Sequence, residues 1–203
     1  MSELLVHDPS AVDTAAVDDL VRRIDEEVDA GRMPAAAMAL AVDGAVVAEA
    51  TFGAAHRGSR FVVFSCTKAF VAGVVWQLIG EGRLSTDTRV VDLLPTFLAD
   101  GPDADRAPRL TLEHLLTHTS GFPYAPLGPP RWATREGRLE VMSRWRLDSD
   151  PGTHYEYHAT SAHWVVAEMV AAVEGQDFPD VVRQRILDPL GLDGFTLGRA
   201  PAA

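Results

Sequence analysis

Phe64-Ser65-Cys66-Thr67-Lys68 sets a hydroxyl and an amine three positions apart, just ahead of the apolar run at residues 69–79. Residues three apart share one face of a helix, so Oγ and Nζ can meet there. A serine hydroxyl attacks a carbonyl only after a base takes its proton, and a lysine is that base only when neutral. Burial in the apolar run and the positive end of the helix dipole both disfavour the ammonium. The same helix terminus aims the Ser65 N–H at the anion that forms in acyl transfer. A capped helix with a surface lysine is the other reading of these residues. Composition speaks against it. Of the 18 basic residues 17 are Arg, and Lys68 is the one lysine. Guanidinium keeps its proton, whereas a buried ammonium can release it.

The elements that must hold these groups are set by periodicity. Residues 13–30 place Val17, Leu20, Val21, Ile24 and Val28 at helical spacing, with Gly31 as a stop. Two small apolar runs flank Asp43-Gly44, a strong hairpin signal, so strands are expected at 35–42 and 45–52. Ser65 is expected to open a helix reaching about residue 82, buried nearly all round because no other charge falls between Lys68 and Glu81. Short helices are expected near 88–94 and 111–118, then a Pro/Gly-rich loop over 121–130. Helices near 134–146, 160–174 and 177–187 come next, the second capped by Thr160 and ended by Gly175. The tail from 188 offers at most one short strand.

With 203 residues, 47% hydrophobic and 23% charged, the chain suits one domain with a substantial core. A net charge of −11 argues against nucleic acid or an anionic membrane as partner. No signal peptide is readable at the N-terminus and no apolar stretch is long enough to span a bilayer, so a cytoplasmic protein is expected. The single cysteine, Cys66, excludes an internal disulfide and a cysteine-based metal cluster. It points about 100° away from Ser65 on the helix, as a small buried hydrophobe would.

His114 and His118 lie four apart but lack a third ligand, and Glu113 precedes the first of them; no metal and no cofactor are expected. His154, His158 and His163 orient substrate or bond backbone, the second reading being the stronger. Trp132, Trp145 and Tyr124 either line an acyl or amide pocket or pack in the core.

Beyond FSCTK, the segments GRLSTDTRVVDLLPTF, LTLEHLLTHTSGFP, PGTHYEYHATSAHWVVAEMV and RILDPLGLDG occur in order. From about residue 13 onward this resembles the β-lactamase-related serine hydrolases: class C β-lactamases, penicillin-binding D-Ala-D-Ala peptidases and esterases of the same fold. The resemblance implies an α/β, β-lactamase/transpeptidase-like fold, a mainly helical subdomain beside an incomplete antiparallel sheet. Residues 1–203 then form one domain's N-terminal part, with a helix and hairpin in 1–60 and a mainly helical region in 61–190.

The resemblance also implies Ser65 as nucleophile and Lys68 as base, and it matches Tyr157 to a tyrosine that shares their proton. Ala159 stands where that family usually has asparagine, which puts the substrate class in doubt. A Lys-Thr-Gly or His-x-Gly strand, which supplies the second oxyanion donor, does not occur in the sequence. The C-terminal strands are thus expected from a complement in cis or in trans. The resemblance implies a serine hydrolase working through an acyl-enzyme on a small ester or amide, an esterase first. A β-lactamase or D-Ala-D-Ala carboxypeptidase stays open, as does a catalytically weak remnant that binds a ligand.

Overall fold

The computed structural model describes residues 3–197, which form two compact units divided between Phe61 and Val62. In the first, β1 (Glu3–Val6), β2 (Ala35–Val42) and β3 (Ala45–Gly53) form an antiparallel sheet in the order β1-β3-β2. The expected hairpin is β2–β3. Asp43 and Gly44 turn it with φ of 50° and 80°, the left-handed pair that a tight hairpin requires. A bulge between Leu40 and Ala41 shifts the register, so that Met38 faces Ala50 and Ala35 faces Gly53.

Helix α1 (Thr14–Asp29) begins where Asp13 accepts hydrogen bonds from the Ala15 and Ala16 amides at 3.0 and 3.2 Å. It packs on β3, whose Ala48, Ala50 and Phe52 are buried at alternate positions while Glu49 and Thr51 between them are less covered. Gly53 permits that closeness. With φ of 63°, a Cβ there would come within 2.5 Å of the Pro34 carbonyl and 2.8 Å of Val28. Strand β1 adds to the expected hairpin, and among the described residues the tail after 187 forms no strand.

The second unit is helical. Its elements are α2 (Thr67–Gly80), α3 (Val90–Leu93), α4 (Leu112–Leu116), α5 (Arg135–Met142), α6 (Ser161–Glu174) and α7 (Phe178–Val182), which runs into one π-helical turn, Arg183–Leu187. Helix α6 is the hub. Val165, Val166, Met169 and Val170 are buried, meeting a core that includes Val74 and Leu78 of α2 with Leu112 and Leu115 of α4. Removing such side chains from water stabilises by roughly 1.5–3 kcal/mol each.

Two expectations are corrected. Helix α2 is apolar in sequence all round but buried on one side, since Trp76 remains 62% exposed. Ser65 does not open α2 but sits in a 3-10 turn, Phe64–Cys66, before it. Thr160 does occupy the N-cap position of α6, yet its side chain makes no cap hydrogen bond, whereas Gly175 ends the helix at φ 70° as expected.

Long irregular segments connect these helices and are tied by polar contacts. Arg106 donates to Asp103 and, at 2.8 Å, to Asp150, and the Leu147 amide donates to Asp103 at 2.8 Å. These bonds fix residues 147–150, the start of the segment that carries Tyr157.

Candidate active site

Phe64 enters the 3-10 turn at φ 44°, a left-handed conformation that costs a bulky residue on the order of a kcal/mol. The Cys66 amide then donates to the Val63 carbonyl at 3.0 Å, and the Thr67 amide to Phe64 and Ser65. The chain therefore bends sharply at the serine, leaving its side chain exposed beside the start of α2. Cys66 is exposed too, contrary to the buried position expected of it.

Lys68, one turn on and half-buried, donates from Nζ to Ser65 Oγ at 3.0 Å. The same Nζ donates to the Ala159 carbonyl at 2.6 Å. Residue 159 thus holds the lysine through its backbone even though it lacks a side-chain amide. A neutral amine has two N–H donors and one lone pair. With one N–H engaged by the Ala159 carbonyl, the lone pair is free to turn to Oγ.

Tyr157 arrives from the other side, its OH donating to Ser65 Oγ at 2.8 Å. Lys68 Nζ lies 5.2 Å from the centre of its ring. The bond with Ser65, and after it the interaction with Lys68, hold the phenol below the ordinary phenol range against the opposing effect of burial. The three residues singled out from sequence are therefore brought to one point.

A histidine layer positions Tyr157. The Glu156 amide donates to the His118 carbonyl at 3.1 Å, and the His158 amide to His118 Nδ1 at 3.2 Å. His158 is fully buried. Its Nδ1 donates to the Glu156 carbonyl at 2.6 Å, so Nε2 is the acceptor for the Phe122 amide at 3.1 Å and lies 3.0 Å from Ser120 Oγ. The His118 ring lies 4.8 Å from that of Tyr157. Burial pushes both imidazoles below the usual histidine range, His118 further so by His158 and Lys68. Both imidazoles are thereby kept neutral beside the Lys68 amine.

The remaining candidates separate. His114 closes a capping box with Thr111 at the start of α4. His154 is exposed, 3.8 Å from Glu156. Trp145 is buried against Phe97 and Phe122, and its Nε1 donates to the Pro126 carbonyl at 2.9 Å. Neither it nor Trp132 or Tyr124 lines the cavity at Ser65. That cavity, about 410 Å³, is walled by Phe64, Val71, Trp164, Ala167, Phe178 and Leu197. His163 also reaches it. Its Nδ1 is buried with no partner among the described residues, and burial, then Lys68 and His118, pull its pKa down to about 4.

A sharp turn exposing a serine, an amine in contact with it and a phenol of lowered pKa form a proton-transfer triad able to activate Oγ. Comparison with known proteins gives the family. The family model described as Beta-lactamase matches residues 20–203. The chain is similar to Penicillin-binding protein 4 of Amycolatopsis lactamdurans, with 33% identity over 174 residues, 79% of this chain and 44% of that protein. It is similar to the Esterase/beta-lactamase LipL of Mycobacterium tuberculosis, with 30% identity over 184 residues, 84% of this chain and 41% of that one. The solved structure of a family VIII carboxylesterase superposes with a TM-score of 0.77 at 21% identity, covering 95% of this chain and 53% of its own. The chain spans less than half the length of these two curated relatives.

Proposed function

The chain belongs to the β-lactamase family, and on that premise we propose that it is a serine hydrolase that cleaves small carboxylic esters through an acyl-enzyme on Ser65. The observation that carries this is the pair of contacts at Ser65 Oγ, Lys68 Nζ at 3.0 Å and Tyr157 OH at 2.8 Å. Neutral Lys68 takes the Oγ proton as Oγ bonds the carbonyl carbon. The carbonyl pair moves to oxygen, where the Ser65 N–H stabilises it. The tetrahedral adduct then collapses, the bond to the leaving alkoxide breaks, and Tyr157 with Lys68 returns the proton to it. Water repeats the sequence on the acyl-enzyme, with the same residues as base and then acid.

An ester is favoured over a β-lactam or a peptide by two features. Ala159 offers no side-chain amide to bond a substrate amide, and the cavity wall is mostly apolar. A second oxyanion donor and further sheet strands come, in this reading, from a complement in cis or in trans. The reading is tested by mixing the protein with p-nitrophenyl acetate and, separately, with nitrocefin. Nitrophenol release and an acetyl adduct on Ser65 are expected, with nitrocefin opened far more slowly. Faster opening of nitrocefin than of the ester would overturn the esterase assignment.

A further inference from the structure

We infer that the cavity beside Ser65 receives the acyl chain of the substrate, and that this chain is an uncharged aliphatic one longer than acetyl. The inference rests on the acyl-enzyme reading above and adds the substrate class.

Direction comes first. Once Oγ has bonded the acyl carbon, the acyl chain and the leaving alcohol must take different paths. Lys68 borders both paths, whereas Tyr157, the other proton donor, is 46% exposed and not part of the cavity wall, so the alcohol is placed on the open Tyr157 side. The acyl chain is left with the other side, between α2, α6 and α7. There Val71 stands one turn beyond Lys68 on α2, Trp164 and Ala167 lie on α6, and Phe178 begins α7. The volume of about 410 Å³ is at the lower end of the roughly 300–1,000 Å³ of ligand pockets.

The chemistry of the wall gives the class. Among the described lining residues Lys68 is the one charged group, and its Nζ already faces Ser65 Oγ and the Ala159 carbonyl. No carboxylate, guanidinium or side-chain amide is present among the described lining residues to pair with a charged or amide-bearing acyl group, whose burial unpaired is costly. His163, with its depressed pKa, is neutral at ordinary pH.

The wall is also rigid, because Trp164 and Phe178 are held from behind by Arg138. That buried guanidinium lies 5.7 Å from the Trp164 ring and 5.3 Å from the Phe178 ring. It donates to Glu168, to Asp177 at 2.9 Å and to the Trp132 carbonyl at 3.1 Å. The two rings meet edge to face with centroids 5.6 Å apart, so they present one fixed apolar surface for the acyl chain to lie against.

The experiment measures the first-turnover acylation rate with p-nitrophenyl acetate, butyrate and hexanoate, with intact-mass detection of each adduct on Ser65. A fully buried methylene is worth about fourfold, so hexanoate is expected to acylate at least about tenfold faster than acetate. The adipate monoester, as long but ending in a carboxylate, is expected to be at least about tenfold slower than hexanoate. Ala167→Phe fills part of the cavity and should bring the hexanoate-to-acetate ratio toward one. If that variant fails to fold, the wild-type length series decides alone. Rates that are flat or falling from acetate to hexanoate would overturn the acyl assignment while leaving the serine esterase standing. An absence of acylation by every ester would overturn the esterase reading and the pocket with it.

Discussion

At the scale of single residues, the proposed function rests on the protons around Ser65. Ser65 and Lys68 were legible because a hydroxyl and an amine three apart share a helix face, and because Lys68 is the one lysine among 18 basic residues. Tyr157 was legible only through family resemblance. What stayed hidden were backbone groups, which carry no residue-type signal: the Ala159 carbonyl on Lys68, 91 residues away in sequence, and the left-handed φ of Phe64. Lys68→Arg keeps the charge and most of the reach but not the releasable proton. Stopped-flow acylation should fall at least about a hundredfold, and a near-normal rate would make Lys68 merely electrostatic.

His163 supports a prediction about pH. Its folded pKa of about 4 lies below the ordinary 6.5, so the unfolded chain binds the proton first as pH falls. Stability is therefore full above about pH 6.5 and declines toward pH 4, with His118 and His158 acting in the same direction. Urea unfolding should find roughly 2 kcal/mol of the His163 contribution gone by pH 5. His163→Leu should show a correspondingly shallower loss between pH 7 and 5, and an unchanged slope would contradict the assignment.

At the scale of elements, the long helices and the β2–β3 hairpin were legible because their signals are local: a 3.6-residue period in α1, Gly175 at the end of α6, and Asp43-Gly44 between apolar runs. Strand β1 is four residues long and pairs with a strand more than forty positions away, so nothing local announced it. The one-sided burial of α2 depends on which neighbours reach it, which periodicity does not encode. Helices α5 and α6 are joined by a charged pair inside the core, with Arg138 and Glu168 both buried. Removing Glu168 leaves buried Arg138 only the half-exposed Asp177 as counter-charge, so Glu168→Ala should cost about 3 kcal/mol in urea denaturation. The double change Arg138→Met with Glu168→Leu should cost less than Glu168→Ala alone. Equal or greater loss in the double variant would mean that packing, not charge, dominates there.

At the scale of the molecule, the helical unit carries Ser65, Lys68, Tyr157 and the cavity, while the other unit is a small sheet covered by α1. In that sheet β3 is central, and β1 and β2 each pair on one side only among the described residues. Such edges can accept further strands, in keeping with curated relatives of whose length the chain spans less than half. No helix among the described residues is long and apolar enough to cross a membrane. The whole arrangement depends on Ser65 being an activated nucleophile, and fluorophosphonate labelling with intact-mass and peptide mass spectrometry tests that most directly. A single adduct that maps to Ser65 and disappears in Ser65→Ala is expected. An adduct that persists in Ser65→Ala, or no adduct on the wild-type chain, would contradict that role.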